Sequence, residues 1–498
     1  LNKELSLTHN SKFKTQNSLS TVFNLKLKIQ NSKLLTTVFN SQLKIQNSKL
    51  LTNCQPMSIA NEHQIKVIYD ISVLGQGHLH KRARTGIFRV VESIAENLAI
   101  SKECDLLFCV SQYLHLLDAS LDYLETNPKL SGIPLVHSSS IGNFYKRLME
   151  TYNMLELQMQ ANEAGSAIAD KSVFEHLKNN LENALKIAGG YAMPVDAGNL
   201  EAADIFHSPY DEIPAVAQQS NRVQKFLTIY DLIPVLYPQF LLSEQIPLLY
   251  KKTLASISQK DWVICISHST KNDLCNYLNL DHSRVFVTHL AAEPSIFYPC
   301  TDAEKIATTR SKYGIRDGGY ILSLGTLEPR KNIDHVIRCF AKLILEQNLK
   351  DLYLVLVGTP GWKYDKIMEE VSQKSWLKER IIFTGYVPES DLAALYSGAL
   401  TFVYPSFYEG FGLPPLEAMQ CGVPVIASNT SSLPEVIGDA GIMLDPKDAD
   451  GLCQSMLEIY NRPLLREKMS LKSLEQAKLF SWERCARETI AAYRTALA

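Results

Sequence analysis

The stretch Leu400–Glu435, LTFVYPSFYEGFGLPPLEAMQCGVPVIASNTSSLPE, constrains the fold more than any other part of the chain. It holds two short β-rich runs, Leu400–Ser406 and Val423–Ser428, with a loop at Phe407–Leu413 and a helix at Pro414–Cys421 between them. Pro414 and Pro415 suit a first helical turn, where a missing N–H is no loss, and Gly422 suits the left-handed residue after a helix end. Strand, loop, helix and strand in this order make a unit of a parallel α/β sheet. Glu409 falls in the loop and Glu417 in the first helical turn, with seven residues between them, so both carboxylates point toward the same end of the sheet. Gly410 and Gly412 flank Phe411 and let the backbone come close to a ligand. The free N–H groups of the helix start favour an anion such as phosphate. Carboxylates beside a phosphate fit a ligand that also offers hydroxyls, as sugars and riboses do.

EGFGLPPLE, Glu409–Glu417, resembles the Glu-x7-Glu motif of retaining glycosyltransferases of family 4 (glycosyl transferases group 1), and the resemblance extends over Ile65–Arg494. It implies the GT-B fold, an α/β architecture of two Rossmann-like domains facing a central cleft. It also implies transfer of a sugar from a nucleotide-diphosphate sugar to a hydroxyl of a glycan or lipid-linked acceptor, with retention; GDP-mannose is preferred to a UDP-sugar. On this resemblance Glu409 and the Phe411–Gly412 backbone hold the transferred sugar, Gly410 and Leu413 complete the donor loop, and Glu417 holds the ribose. Two alternatives share the phosphate site: a nucleotide-sugar hydrolase or epimerase of the same fold, and a non-catalytic nucleotide-sugar-binding protein.

The rest of the chain fits this frame. Its 498 residues suggest two or three domains, and 46% hydrophobic with 20% charged residues is a globular balance. A net charge of −2 gives no basic field for nucleic acid, and no apolar run reaches the length of a membrane span. Ten cysteines are scattered without metal-ligand spacing, the pattern of reduced thiols in a cytoplasmic protein; a place at the inner face of the membrane, with peripheral membrane contact, stays open. Residues 1–56 differ: eight Lys, one Glu, no Asp or Arg, and LKIQNSKLLT twice, at Leu27–Thr36 and Leu43–Thr52. They are expected to be a disordered, repeat-containing extension, with Met57 the natural beginning. The expected divisions are then 57–298 as the acceptor domain, 299–479 as the donor domain, and 480–498 as a helix crossing back to the first.

In the first domain a strand, Ile65–Asp70, leads through a polar Gly- and His-containing loop, Gly75–Arg84, into a helix from Phe88 to Leu98. Gly86 opens that helix and matches the family glycine that lets the chain approach the donor phosphate. His78 and His80 lack a third ligand and read as exposed side chains. Residues 142–188 read as a helical insertion. Two buried strands end at His207 and at Tyr230-Asp231, where the family commonly has His-Asp. Tyr230 can donate or accept a hydrogen bond but cannot carry positive charge near neutral pH, and His207 on the adjacent strand is a candidate to compensate. Ser269 is expected to cap the helix that follows the next strand. In the second domain, GTLEPRKN places Arg330 and Lys331 at a helix start, a planar fork and a point charge suited to a diphosphate. Gly358 ends the next strand, and Tyr386 and Val387 stand where the family holds the nucleotide base. Glu409, Asp231, Tyr230 and His207 are thus the candidate catalytic residues. No Asp-x-Asp occurs in a plausible metal-binding loop, so neither a metal nor a cofactor is expected.

Overall fold

The computed structural model describes residues 64–80, 86–111, 115–136, 195, 197–243, 245–361, 369, 371 and 375–498. The expected extension at 1–56 and the helical insertion at 142–188 lie outside these residues. Among the described residues thirteen strands form two sheets whose paired strands all run parallel. The first contains β1 (Ile65–Asp70), β2 (Cys104–Cys109), β3 (Leu135–Val136), β4 (Ile205–Ser208), β5 (Gln224–Ile229), β6 (Trp262–Cys265) and β7 (Val285–Val287), in the order 3-2-1-4-5-6-7. The second contains β8 (Gly319–Leu324), β9 (Leu352–Val357), β10 (Ile381–Gly385), β11 (Thr401–Tyr404), β12 (Val425–Ser428) and β13 (Ile442–Leu444), in the order 10-9-8-11-12-13. The central strands are buried on both faces, β9 along its whole length, which is why LYLVLV is a continuous apolar run without alternation.

Strand order reverses between β1 and β4 and again between β8 and β11. Loops leaving the carboxyl ends of neighbouring strands diverge at such a reversal and open a crevice. In the second sheet the two loops concerned carry Arg330–Lys331 after β8 and Glu409 after β11.

The helices that pack on the sheets include α1 (Ser72–Leu79), α2 (Ile87–Ser101), α3 (His115–Thr126), α4 (His268–Leu278), α5 (Ile333–Gln347), α6 (Glu389–Ser397), α7 (Leu413–Gln420), α8 (Leu433–Ile437) and α9 (Trp482–Leu497). The amphipathic α5 buries Ile333, Val336, Ile337, Phe340 and Ile344 and turns out of the helix at Asn348 in the left-handed conformation. Helix α9 starts at Ser481, whose hydroxyl accepts from Arg484 N–H at 3.1 Å, and it packs against α2, burying Cys485, Ile490 and Tyr493.

Four local expectations are corrected. The start of the segment read as a Gly- and His-containing loop is instead helical, as α1. Its glycines serve close packing: a Cβ on Gly75 would collide with Ser120 on α3, and one on Gly77 with Phe88 on α2. The cap of α4 is Ser267, not Ser269; Ser267 Oγ accepts from Thr270 N–H at 3.0 Å. Glu417 is the fifth residue of α7 and opens its second turn, because the helix begins at Leu413 rather than one residue later. His78 is half-buried, its ring edge-on to Tyr123 at 6.1 Å, while His80 is exposed. Strands β3 and β13, at the outer edges of the sheets, were not anticipated; two or three residues give no readable period.

Candidate active site

Glu409 stands at the centre of a buried charge cluster. Its Oε1 lies 2.8 Å from Arg330 Nη1 and 2.9 Å from Lys331 Nζ, and Tyr404 donates its hydroxyl to the same oxygen at 3.0 Å. Arg330 also donates to the Glu328 carboxylate at 2.6 Å and to the Tyr408 carbonyl at 2.7 Å, so its planar fork is held on three sides. Lys331 donates to the Tyr404 hydroxyl as well. Burial alone pushes the Glu409 carboxyl up, but Arg330 and Lys331 outweigh it and hold the group down to about 2. Burial in turn lowers the Lys331 ammonium, against the pull of Glu409. The loop is fixed from behind: Glu409 N–H donates to Ser431 Oγ at 2.9 Å, and Ser432 Oγ donates to the carbonyls of Glu409 at 2.9 Å and Phe411 at 2.6 Å.

Glu417 is the other glutamate of the motif and has the opposite surroundings. Its Oε2 accepts from Tyr396 OH at 2.9 Å. Burial dominates and raises its carboxyl to about 7, although Arg89 pulls the other way. Glu417 faces a cleft of about 520 Å³ shared by both sheets. Gly86, Leu324, Gly325, Gly358, Tyr386, Val387, Leu413 and Pro414 line the cleft as well. The glycines there are structural necessities: Gly358 has φ +140° and a Cβ on it would strike the Gly325 carbonyl, while Gly86 has φ +61° and opens onto free space. Lys331 reaches this end of the cleft, since a Cβ on Gly325 would touch its Cε at 3.5 Å.

The loops of the two sheets meet at Gly410. A side chain there would collide with the carbonyl of Tyr230 and with Asp231, and Thr270 Oγ1 bridges Tyr230 O at 3.2 Å and Gly410 O at 3.3 Å. Around this contact Tyr408 donates to Asp273, Phe407 stacks on Phe240 at 5.8 Å, and Tyr408 packs on Tyr237 at 4.7 Å. Glu435 at the start of α8 accepts from His268 N–H and Ser269 N–H, each at 2.7 Å, and so satisfies the first turn of α4 from the opposite sheet.

Of the first-sheet candidates, Asp231 is brought toward the charge cluster and the others are not. The Asp231 carboxylate accepts from Ile233 N–H at 2.8 Å; burial raises its pKa against the pull of that bond, of Arg330 and of Lys331. Tyr230 offers its carbonyl to the Gly410 contact, whereas its hydroxyl is buried without a partner, its ring 6.1 Å from that of Tyr210. His207 does not compensate for it. Both ring nitrogens are engaged, with Tyr493 OH at 2.5 Å and Thr228 Oγ1 at 2.8 Å, and burial lowers the imidazole to about 3. It is a neutral core residue that ties α9 to the first sheet.

Sequence reasoning missed Tyr404, Glu328, Tyr396, Arg89 and Glu435. Two of them carried a signal: Tyr404 as the last residue of the strand that delivers the loop, and Glu328 as a neighbour of Arg330 in GTLEPRKN. Among the described residues one group has the composition of a metal site, His268, His289 and Glu435, with ligand atoms within 4.8 Å of one another; both Glu435 oxygens already accept backbone N–H groups.

The sequence pattern of the family described as Glycosyl transferases group 1 matches residues 305–476, the stretch that holds the charge cluster and Glu417. The chain is 36% identical over 294 residues to the O-antigen chain mannosyltransferase B of Escherichia coli, covering 58% of this chain and 74% of that one. This chain belongs to the group 1 glycosyl transferases. A second relative, the serotype-specific mannosyltransferase WbdA of Escherichia coli, is 32% identical over 258 residues; the match takes in 52% of this chain and only 32% of WbdA. The fold is that of Anabaena HepE, solved in complex with UDP and glucose: TM-score 0.57 at 13% identity, over 86% of this chain and all of HepE (100%). The glycosyltransferase therefore has the GT-B architecture, with its charge cluster and Glu417 at the switch point of the second sheet.

Proposed function

We propose that this glycosyltransferase moves a mannosyl unit from GDP-mannose, ahead of any UDP-linked sugar, to a hydroxyl of a glycan or lipid-linked acceptor, with retention at the anomeric carbon. The observation that carries this reading is the Glu409–Arg330–Lys331 cluster, in which one carboxylate holds two cations and Lys331 lies behind Gly325, a residue of the cleft wall. The mannosyl donor draws support from the two mannosyltransferase relatives.

As the new bond forms between the acceptor oxygen and the anomeric carbon, the bond to the diphosphate oxygen breaks and its electron pair leaves with the diphosphate. The acceptor proton passes to that departing oxygen. Positive charge grows on the sugar and negative charge on the leaving group. In this reading Arg330, Lys331 and the N–H groups at the start of α7 take up the diphosphate charge, and no metal is called for. Glu409, held ionised, is suited to the sugar that becomes positive, and Glu417 to the ribose hydroxyls. Gly86, Gly358, Tyr386 and Val387 line the space left for the rest of the donor.

We place the reaction in the cytoplasm at the inner face of the membrane. No helix among the described residues is long and apolar enough to cross a membrane. Exposed Leu242, Leu248 and Leu249 beside Lys251 and Lys252 support a peripheral contact. The test is incubation with GDP-mannose and with UDP-sugars, with and without a glycan acceptor, and assignment of the product's anomeric configuration. Retained mannosyl product that forms only with acceptor, and persists with a chelator, supports the reading. Consumption of donor without acceptor identifies a hydrolase or epimerase instead.

A further inference from the structure

Outside the cleft, a second group of side chains joins the two sheets. His268 opens α4 after β6, His289 follows β7, and Glu435 lies on α8 after β12. None of the three lines the cleft. One ligand atom from each lies within 4.8 Å of the other two, and no other trio of His, Cys, Asp or Glu among the described residues meets that spacing.

The geometry suits a tetrahedral ion. Zinc holds imidazole nitrogen and carboxylate oxygen at about 2.0–2.2 Å, which sets neighbouring ligand atoms about 3.4 Å apart and the centres of two bound imidazoles about 5 Å apart. His289 Nε2 lies 3.3 Å from Glu435 Oε2, and the His268 and His289 rings are 5.7 Å apart at 63°. His268 is exposed, so rotation of its side chain can close the remaining gap.

Glu435 is already oriented for the task. His268 N–H and Ser269 N–H each donate to one of its oxygens at 2.7 Å. An ionised carboxylate offers about four lone pairs, so these two bonds leave others for an ion. Backbone donors behind a ligating carboxylate are the usual outer support of a metal site. The His289 ring is held as well, against Phe411 at 5.9 Å and Phe480 at 5.7 Å. The positive end of α4 opposes a cation here, and the charge of Glu435 offsets it.

We infer that His268, His289 and Glu435 form a site for a first-row transition ion, zinc foremost, that clamps the two sheets together behind the Glu409–Gly412 loop. Two imidazoles and one carboxylate suit zinc or cobalt, whereas magnesium and calcium take oxygen ligands. With three protein ligands, the fourth position falls to water. Because the ligands come from both sheets, the ion resists their separation. Because His289 packs on Phe411, it also steadies the loop that carries Glu409. The inference goes beyond the glycosyl-transfer reading, in whose chemistry this ion takes no part.

The test uses the full chain without a purification tag, stripped by a chelator and dialysed, with no sugar nucleotide present. Zinc, cobalt(II) or magnesium is then added. Calorimetry should show one zinc per chain, and cobalt(II) should give the intense visible absorption of a tetrahedral site. Magnesium should give no binding heat. His268→Ala keeps the backbone N–H that donates to Glu435, so the start of α4 stays satisfied. It should weaken zinc binding at least about tenfold, and His289→Asn should do the same. Zinc should slow hydrogen exchange at the first turn of α4 and at Phe411 in the native chain, and not in His268→Ala. Absence of saturable zinc binding, magnesium bound as tightly as zinc, or zinc affinity unchanged in either variant overturns the site. Exchange rates in the native chain that ignore bound zinc overturn the clamp. The transferase reading is judged separately, by sugar transfer.

Discussion

Glu409 and Glu417 sit in one motif, are equally buried, and end in opposite electrostatic states. Glu409 has two cations within hydrogen-bond distance and is held down to about 2; Glu417 has a single neutral hydroxyl and is pushed up to about 7. Burial acts on both in the same direction, so the difference comes entirely from partners. Those partners come from different places. Arg330 and Lys331 reach Glu409 because β8 and β11 are neighbours at the reversal of strand order, whereas Tyr396 reaches Glu417 from α6. A fixed negative charge beside two fixed cations is suited to a reaction that separates charge. A carboxyl poised near neutrality is suited to exchanging hydrogen bonds with ligand hydroxyls.

The largest expected effect tests the Glu409 side. Glu409→Ala leaves Arg330 with the Glu328 carboxylate and the Tyr408 carbonyl, and Lys331 buried beside the Tyr404 hydroxyl without a counter-charge. Breaking a buried ionic network by removing one partner costs roughly 3–5 kcal/mol. Denaturant unfolding at pH 7 should show that loss, and turnover should fall by orders of magnitude with GDP affinity nearly retained. The sign with pH follows from the lowered carboxyl: its stabilisation is present above the ordinary value of 4.5 and is lost as pH falls toward about 2. A variant as stable as the native chain at pH 7 would remove the cluster from the account.

Glu417 should respond to pH in the reverse sense. Its folded-state carboxyl is raised, so its contribution is complete below 4.5 and is lost as pH rises through about 7. Glu417→Gln keeps a neutral, hydrogen-bonding group at every pH. Relative to this variant, the native chain should therefore lose on the order of 3 kcal/mol of stability between pH 4.5 and pH 8. Urea titrations of both proteins at intervals across that range make the measurement. A stability difference that stays flat, or widens in favour of the native chain, shows that burial does not govern Glu417.

How far this contrast was legible in the sequence depends on where each partner comes from. Pro414, Gly412 and the glutamates mark the loop and helix by local rules, and Arg330 and Lys331 stand beside a recognisable turn. The helix Ile333–Gln347 carries its period openly, with Ile333, Val336, Ile337, Phe340 and Ile344 on one buried face. Tyr396 and Arg89 were not readable, since nothing in their own neighbourhoods shows what they face across the fold, whereas Glu328 stands two residues from its partner Arg330 and was passed over inside a quoted motif. Gly75 and Gly77 were read as loop formers because helix–helix contact gives glycine a use that local propensity does not report. His207 and Tyr230 drew attention by residue type and strand position, yet burial engaged one and isolated the hydroxyl of the other.

Glu435 calibrates the comparison from a third position. It is half-buried, and burial, which would raise it, is outweighed by hydrogen bonds from His289 and from the backbone of His268 and Ser269, so its carboxyl is lowered. Glu435→Ala uncaps the first turn of α4 from the opposite sheet and should cost about 1–2 kcal/mol, less than Glu409→Ala. Thermal unfolding measures it; a loss as large as that of Glu409→Ala would mean that the cross-sheet cap, not the charge cluster, carries the stability of this end.

The smallest effect isolates the one bond that distinguishes Glu417 from a bare buried acid. Tyr396→Phe keeps the ring in its packing against Phe402 at 5.5 Å and Phe297 at 6.0 Å and deletes only the hydroxyl that donates to Glu417 Oε2. That bond favours the ionised carboxylate and lowers the pKa, so its loss should raise the Glu417 carboxyl further and move the stability decline to higher pH. The cost should be about 1 kcal/mol at pH 8, where the carboxylate would be left unbonded, and smaller at pH 5, where a protonated carboxyl needs the hydroxyl less. In the Glu417→Gln background there is no proton to shift, so Tyr396→Phe should lose its pH dependence. A double-mutant cycle read at both pH values decides the matter: a coupling between the two positions that grows with pH ties Tyr396 to the charge of Glu417, and a coupling that is absent or constant breaks that link.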